Sequence, residues 1–434
     1  MQVHITKARV IDGQSDHNDQ VVDITVTDGK ISSISAAGRK SSKATLSTIA
    51  VDGKEIWKGA PGQEVLVSNG WVDVFADYRE PGLEHKEMIE TGLAAAASGG
   101  FTDVLVMPNT QPSISSKSVI QYVTSKAAGN VVSLHALGTV TANAEGKDIA
   151  EMMDMYANGG LAFTDGWKPV QNPQLMLKAL EYVKAFSGTV LQMPVDAQLS
   201  AGGLMNESIV STALGLQGIP TISESLMVYR DIELLRYTNS RLHITGVSTA
   251  ESLALIRKAK KEKLSITCSV TPYHLALNEN ELKGYSSHYK VMPPLRGEAD
   301  RQALIKGLAD GTIDCIATHH RPHEWDAKTK ELDYAADGMA IQELAFNIVW
   351  NAVKDKVTIE RLVAALTPRS IFDMSERTIK KGAIASLTVF STTGTHTLEN
   401  AAKKSMAINN PFIGQELAGR VIAICNNGTL SINN

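Results

Sequence analysis

The chain has 434 residues, 43% of them hydrophobic and 20% charged, with a net charge of −4. That length is too great for one small core and suits a large barrel with an accessory domain. The weak net charge gives no basis for nucleic-acid binding, and no apolar run approaches the ~18 residues of a membrane span. The opening stretch MQVHITKARVID alternates as a strand rather than as a secretion signal. Three separated cysteines, Cys268, Cys315 and Cys425, form neither a disulfide framework nor a zinc ribbon. Together these features lead us to expect a cytoplasmic protein.

A second β-type run covers 21–26, with an Asp28-Gly29 turn behind it. Residues 37–68 are rich in Lys, Ser and Gly and read as an insertion in a β unit or as a mobile loop. From residue 70 to about 372, short apolar runs alternate with helical patterns. The candidate strands are 71–76, 103–107, 131–136, 161–164, 189–193, 241–245, 264–270 and 312–317. Helical patterns lie between them, for example 87–97, 173–186, 250–261 and 301–308. This alternation argues for parallel βα units, and eight of them over ~300 residues argue for a (β/α)8 TIM barrel. β-type runs return at 385–390 and 419–425, so both ends are expected to meet in one small β-sandwich. The expected division is 1–68 with 373–434 as the sandwich, and 69–372 as the barrel.

In such a barrel, function sits at the C-terminal strand ends. Those ends carry GWVDVFADYREPG at 70–82, MPNT with Asn109, FTDGWKPV with Asp165, LQMPV with Met193, HITGVSTAES with Gly246, TPYHL, and ATHHRPH with His319, His320 and His323. No GxSxG elbow, phosphate loop or dinucleotide fingerprint is present. The His319-His320-x-x-His323 cluster suggests a metal site in isolation, but adjacent side chains on an extended segment point apart. Cys268 has nothing near it in sequence to activate it and reads as a buried structural thiol.

The 70–82 stretch resembles the signature GxVDxHxHxRxPG of the dihydroorotase branch of the amidohydrolase superfamily. The resemblance runs from about residue 70 to 425, through MPNTQP, GVSTAES, MPPLRGEADRQALIKGLADGTIDCIATHHRPH and NNPFIGQELAGRVIA. It implies metal ligands of types His, His, Asp, His, His and Asp at Phe75, Asp77, Asp165, Met193, Gly246 and His319. Of these only Asp165 keeps the expected type, and the family's second adjacent acid is Gly166. A thioether is a poor zinc ligand, and glycine offers no side chain.

By the same resemblance, His319 occupies the catalytic aspartate position, and Arg79, Asn109 and His323 match the clamp on the substrate carboxylate. An asparagine expected before PPLR is Met292. Phe75 and Met193 read as space-filling core residues, and Gly246 as a point of closer packing. Asp77 reads as a partner of Arg79 or of a strand-8 histidine, or as a weak cation ligand. The weak metal candidates are Asp77, Asp165, His319 and His320.

The expectation is therefore a non-catalytic dihydroorotase homologue of pyrimidine biosynthesis, without a cofactor. It would act as a scaffold, with aspartate transcarbamoylase the first partner to name, or as a binder of dihydroorotate or N-carbamoyl-L-aspartate, and it would form a homodimer. The alternative is an active dihydroorotase or related cyclic-amide hydrolase with a rebuilt zinc site.

Overall fold

A computed structural model describes residues 1–37 and 46–433. Eight parallel strands form the central sheet in chain order: Trp71–Ala76, Phe101–Val106, Ser133–Gly138, Gly160–Phe163, Val190–Gln192, Leu242–Ile244, Ile266–Val270 and Cys315–Ile316. They are numbered below as barrel strands 1 to 8. A parallel bridge between Ala76 and His320 closes the cylinder, and the Asp77 amide donates to the His320 carbonyl at 2.9 Å. The expected (β/α)8 barrel is thus present.

Its interior is filled by small and branched side chains, among them Val72, Val74, Leu105, Leu137, Ala162 and Leu191, all fully buried. Helices such as Pro173–Lys184 and Ala250–Lys261 pack outside. Each starts at a side-chain cap: Asn172 accepts from the Gln174 amide at 2.8 Å, and Thr249 from the Ser252 amide at 3.2 Å.

The ends of the chain build a nine-stranded sheet. Strand Gln2–Ile11 joins its parts, because each half has a different partner on one edge. Val3, His4 and Ile5 pair antiparallel with Thr48–Val51, while Arg9, Val10 and Ile11 pair parallel with Leu66–Asn69. The C-terminal strands Leu387–Thr397 and Glu416–Asn426 continue from there. The sandwich-type unit is therefore one continuous hydrogen-bonded sheet folded over its own core of Val3, Ile24, Ile49, Val67, Val389 and Ile422. Within 37–68, the described residues form the hairpin Thr48–Val51 with Lys54–Lys58 and the strand Leu66–Asn69. The remainder of that expectation, 38–45, lies outside the described residues.

Between strands 5 and 6 the chain makes an excursion that periodicity did not suggest. It contains the short strands Met205–Asn206 and Gly218–Ile219 and the 17-residue helix Ile222–Thr238.

Candidate functional site

Strand 1 delivers Phe75, Asp77 and Arg79 to the barrel mouth. Phe75 is fully buried, and its ring lies 4.5 Å from that of His319 and 5.6 Å from that of Trp167. Trp167 and His319 are 5.7 Å apart at 78°. Three rings thus pack mutually at the centre of the mouth, in the tilted and edge-to-face arrangements that stabilise aromatic pairs.

His319 is fully buried, and its Nε2 is 2.8 Å from the Thr245 hydroxyl. Its Nδ1 has no hydrogen-bond partner among the described residues. Burial, reinforced by His274, His243 and Arg321, holds its pKa well below the ordinary value, so the imidazole is neutral.

Gly246 explains how the ring fits. Its φ is +75°, and a Cβ there would lie 2.5 Å from His319 Cε1. Residue 246 therefore has no side chain because His319 fills that space.

Asp77 is fully buried and pairs as one of its readings expected. Its Oδ2 accepts from the Trp167 indole at 2.7 Å and stands 3.1 Å from Arg79 Nε. Asp165 does not face the mouth. Its carboxylate accepts from the Val140 and Thr141 amides at 2.9 Å each and from the Thr141 hydroxyl at 2.5 Å. It ties the end of strand 4 to the loop after strand 3, and burial pushes its pKa up to about 6 against those hydrogen bonds.

His320 points away from His319, as strand alternation requires. Its Nδ1 accepts from the Gln342 amide at 3.3 Å, and its Nε2 faces Glu87 at 3.5 Å. The four weak metal candidates thus do not converge: Asp77 and His319 meet only through the Trp167 ring, and Asp165 and His320 turn to other partners. Among the described residues no group of three or more His, Cys, Asp or Glu is arranged to hold a metal ion. The donor set at the positions implied by the resemblance does not fit zinc: a phenyl ring, a thioether and a glycine replace three imidazoles, and the remaining carboxylates are committed to other partners.

The expected anion clamp is brought together only in part. Arg79 and Asn109 border one cavity of about 230 Å³. The Asn109 amide holds the turn beside it, donating to the Asp165 carbonyl at 3.1 Å and accepting from the Trp167 amide at 2.9 Å. His323 is not on that cavity, which corrects the expectation. Its Nε2 is 2.8 Å from the Asp337 carbonyl and its Nδ1 is 3.3 Å from Lys86 Nζ. Burial, then the charge of Arg321, pulls its pKa down to about 2.

The third cavity residue is one that sequence reading passed over. Arg321 stacks on Trp167, its guanidinium carbon 4.3 Å from the ring centroid, and it borders the cavity with Arg79. The signal was available: if His319 points in and His320 out, Arg321 points in.

The Dihydro-orotase-like family profile matches residues 64–252. A protein named dihydroorotase from Anaeromyxobacter sp. (strain K) is 38% identical over 422 residues, covering 96% of this chain and 94% of that one. Another dihydroorotase, from Pelotomaculum thermopropionicum, is 39% identical over 401 residues, covering 92% and 91%. Among solved structures, an L-hydantoinase (dihydropyrimidinase) from Arthrobacter aurescens superposes with a TM-score of 0.82 at 20% identity, covering 99% of this chain and 97% of that one. A D-hydantoinase from Thermus sp. gives 0.80 at 21% identity, covering 99% and 95%. At such identities the two hydantoinases speak to the fold alone.

Proposed function

The chain belongs to the dihydroorotase family, and on that premise we propose that it is a member without catalytic activity. In this reading it is a cytoplasmic pseudoenzyme of pyrimidine biosynthesis. Its barrel mouth binds carboxylate ligands of the dihydroorotate and N-carbamoyl-L-aspartate type through Arg79, and its folded surface serves as a scaffold. The observation that carries the reading is the packed ring cluster of Phe75, Trp167 and His319.

The family reaction closes N-carbamoyl-L-aspartate to dihydroorotate or reverses it. Its metal polarises the carbonyl and brings the pKa of bound water from 15.7 to about 7, and a strand-8 aspartate moves the proton. Here the position of that aspartate holds a neutral, buried imidazole packed at a tilt against Phe75. Nucleophile, Lewis acid and proton carrier are all without a residue to supply or hold them.

The scaffold part of the proposal rests on what is kept. The barrel is closed, its interior is filled, and both ends of the chain are woven into one sheet. A demand for the folded surface accounts for that retention, and aspartate transcarbamoylase is the proposed partner, with this chain as a homodimer, the commonest closed oligomer.

Elemental analysis of protein purified without chelators should find less than one zinc per chain, with no turnover of dihydroorotate or N-carbamoyl-L-aspartate. Two zinc ions per chain with turnover would refute the proposal. A tagged copy in the native host should co-purify with a transcarbamoylase subunit; recovery of none, with that enzyme's assembly unchanged on deletion, ends the scaffold role.

A further inference from the structure

The barrel mouth continues beyond the Arg79 cavity. A second cavity of about 560 Å³ adjoins it, within the range of ~300–1,000 Å³ usual for small-molecule sites. Ala144, Trp167, Lys168 and Arg321 border both. The small cavity is polar and cationic, while the large one has an apolar wall of Met193, Met292, Val195 and Pro169, with Glu145 and Asp337 also on its border. Two of those residues are methionines at positions where the family resemblance calls for histidine and asparagine. The replacement has made this wall apolar and deformable.

Arg321 stands at the junction with its donors unused. A guanidinium has five N–H groups, yet no hydrogen bond or ion pair to this side chain occurs among the described residues, and its buried Nε has no partner. Structural arginines in the same molecule behave otherwise. Arg296 donates to Ser248 at 3.0 Å, to Asn206 at 3.0 Å and to the Ile219 carbonyl at 3.1 Å. Two carboxylates act on Arg321: Asp337, which borders the larger cavity but makes no ion pair with it among the described residues, and Asp77, which is already engaged by Arg79 and the Trp167 indole. Burial and the charge of Arg79 pull the pKa of Arg321 down to about 10, and its charge in turn opposes protonation of His323. The junction therefore brings together two guanidinium groups, Arg79 and Arg321, the second lying over an aromatic ring with its donors free.

The geometry points to a binding site for an amphipathic oxyanion: a carboxylate or phosphate head between Arg79 and Arg321, joined to an aromatic or short aliphatic body lying along Trp167 against Met193 and Met292. This assigns to Arg321 the role of specificity-determining residue. It rests on reading the barrel mouth as a binding site rather than a catalytic one, and it makes the preferred ligand more apolar than dihydroorotate.

Isothermal titration of the purified full-length protein tests it, with phenyl phosphate, phenylacetate, inorganic phosphate and dihydroorotate as probes. The aryl anions should bind at least tenfold more tightly than inorganic phosphate or dihydroorotate, and whichever aryl anion is tighter names the head group. Arg321→Ala should weaken the aryl anions by roughly ten- to hundredfold, the share of a charge-assisted contact. Arg321→Lys, which keeps the charge and removes the planar fork, should fall between, so a folding defect in the alanine variant does not decide the matter. Met292→Asn should erode the advantage of the aryl anions several-fold and leave inorganic phosphate unchanged. Aryl affinity unaltered in both Arg321 variants, no binding of either aryl anion at millimolar concentration, or dihydroorotate as the tightest ligand would each overturn the inference. Zinc and turnover measured on the same sample report separately on the non-catalytic reading.

Discussion

Gly246→Ala introduces one methyl group, and the structure sets out what it meets. Residue 246 sits at φ +75°, where an L-residue bears a backbone cost of roughly 1–2 kcal/mol. The new Cβ falls 2.5 Å from His319 Cε1. That ring is held on one side by Phe75 and on another by the Thr245 hydroxyl, so it cannot swing aside freely. Overpacking of this kind costs roughly 1–3 kcal/mol, which brings the expected loss to about 2–5 kcal/mol. For 434 residues unfolding as one unit, at about 2.1 cal/mol/K per residue, the slope is roughly 0.9 kcal/mol per degree, and the melting temperature should fall by about 2–6 °C. The decisive assay is a double-mutant cycle with His319→Ala. Removing the ring removes the overlap but not the backbone cost, so the alanine at 246 should be about 1–3 kcal/mol less harmful in that background. Additivity within about 0.5 kcal/mol, or a Gly246→Ala protein as stable as the parent, would refute the account of why this position is glycine.

Acidification should destabilise the fold through its histidines. Buried His243 and His323 have pKa values near 3 and 2, and those of His274 and His319 are also below the ordinary value; burial leads in all four. Asp165 and Asp231 oppose them, pushed up to about 6 by burial. Near pH 5 the unfolded chain thus holds four histidine protons that the fold rejects, and the fold holds two carboxyl protons that the unfolded chain has released. Each histidine proton that the fold rejects lowers stability by about 1.4 kcal/mol per pH unit below the ordinary imidazole pKa, and the carboxyl protons offset part of that loss; a urea midpoint constant from pH 7.5 to 5 would contradict it. Asp165→Asn should cost about 1–3 kcal/mol, because an amide nitrogen is turned toward donors, while metal content stays unchanged; a drop in bound metal would reinstate Asp165 as a ligand. Burial pushes Cys268 up to about 12 and Cys425 to about 11, and Cys315 is also buried. A thiol reagent should therefore label no cysteine in the native protein and three after unfolding, and one fast native thiol would show that this core opens.

All eight barrel strands were legible in the sequence, since buried parallel strands read as short apolar runs between helical patterns. The first, Trp71–Ala76, has the expected limits, and the others differ by one to three residues at their ends. The helix Ile222–Thr238 was not legible because its apolar face, Met227, Val228, Ile232 and Leu235, is blurred by exposed apolar and buried charged residues. Ile222, Leu226, Tyr229 and Tyr237 are exposed, while Glu224 and Asp231 are buried. Glu224 is held by the Ser248 and Thr249 amides at 3.0 Å each, and Asp231 by Arg230 at 2.7 Å. Those partners are remote in sequence or invisible to a hydrophobic period. The site was legible as a set of substitutions but not as a packing solution. Gly166 stood out as a missing acid, yet its reason is spatial: a Cβ there would lie 1.8 Å from Asn109 Oδ1. Asp77, Phe75 and His319 were likewise identifiable, but the ring that joins them, Trp167, comes from the turn after strand 4 and is reached only through the fold.

The tenancy of His319 also sets a direction of travel. A histidine introduced at 246 alone would collide with the ring already there, and one introduced at 75 alone would face that same neutral imidazole. An aspartate restored at 319 alone would be a carboxylate beside a phenyl ring, with one hydroxyl at hand. No single step toward an imidazole-rich centre is downhill while the others are unmade. The residues at the mouth are therefore entrenched as a group, and the barrel behaves as a ratchet: easily held in its present arrangement, and reversible only by several changes made together.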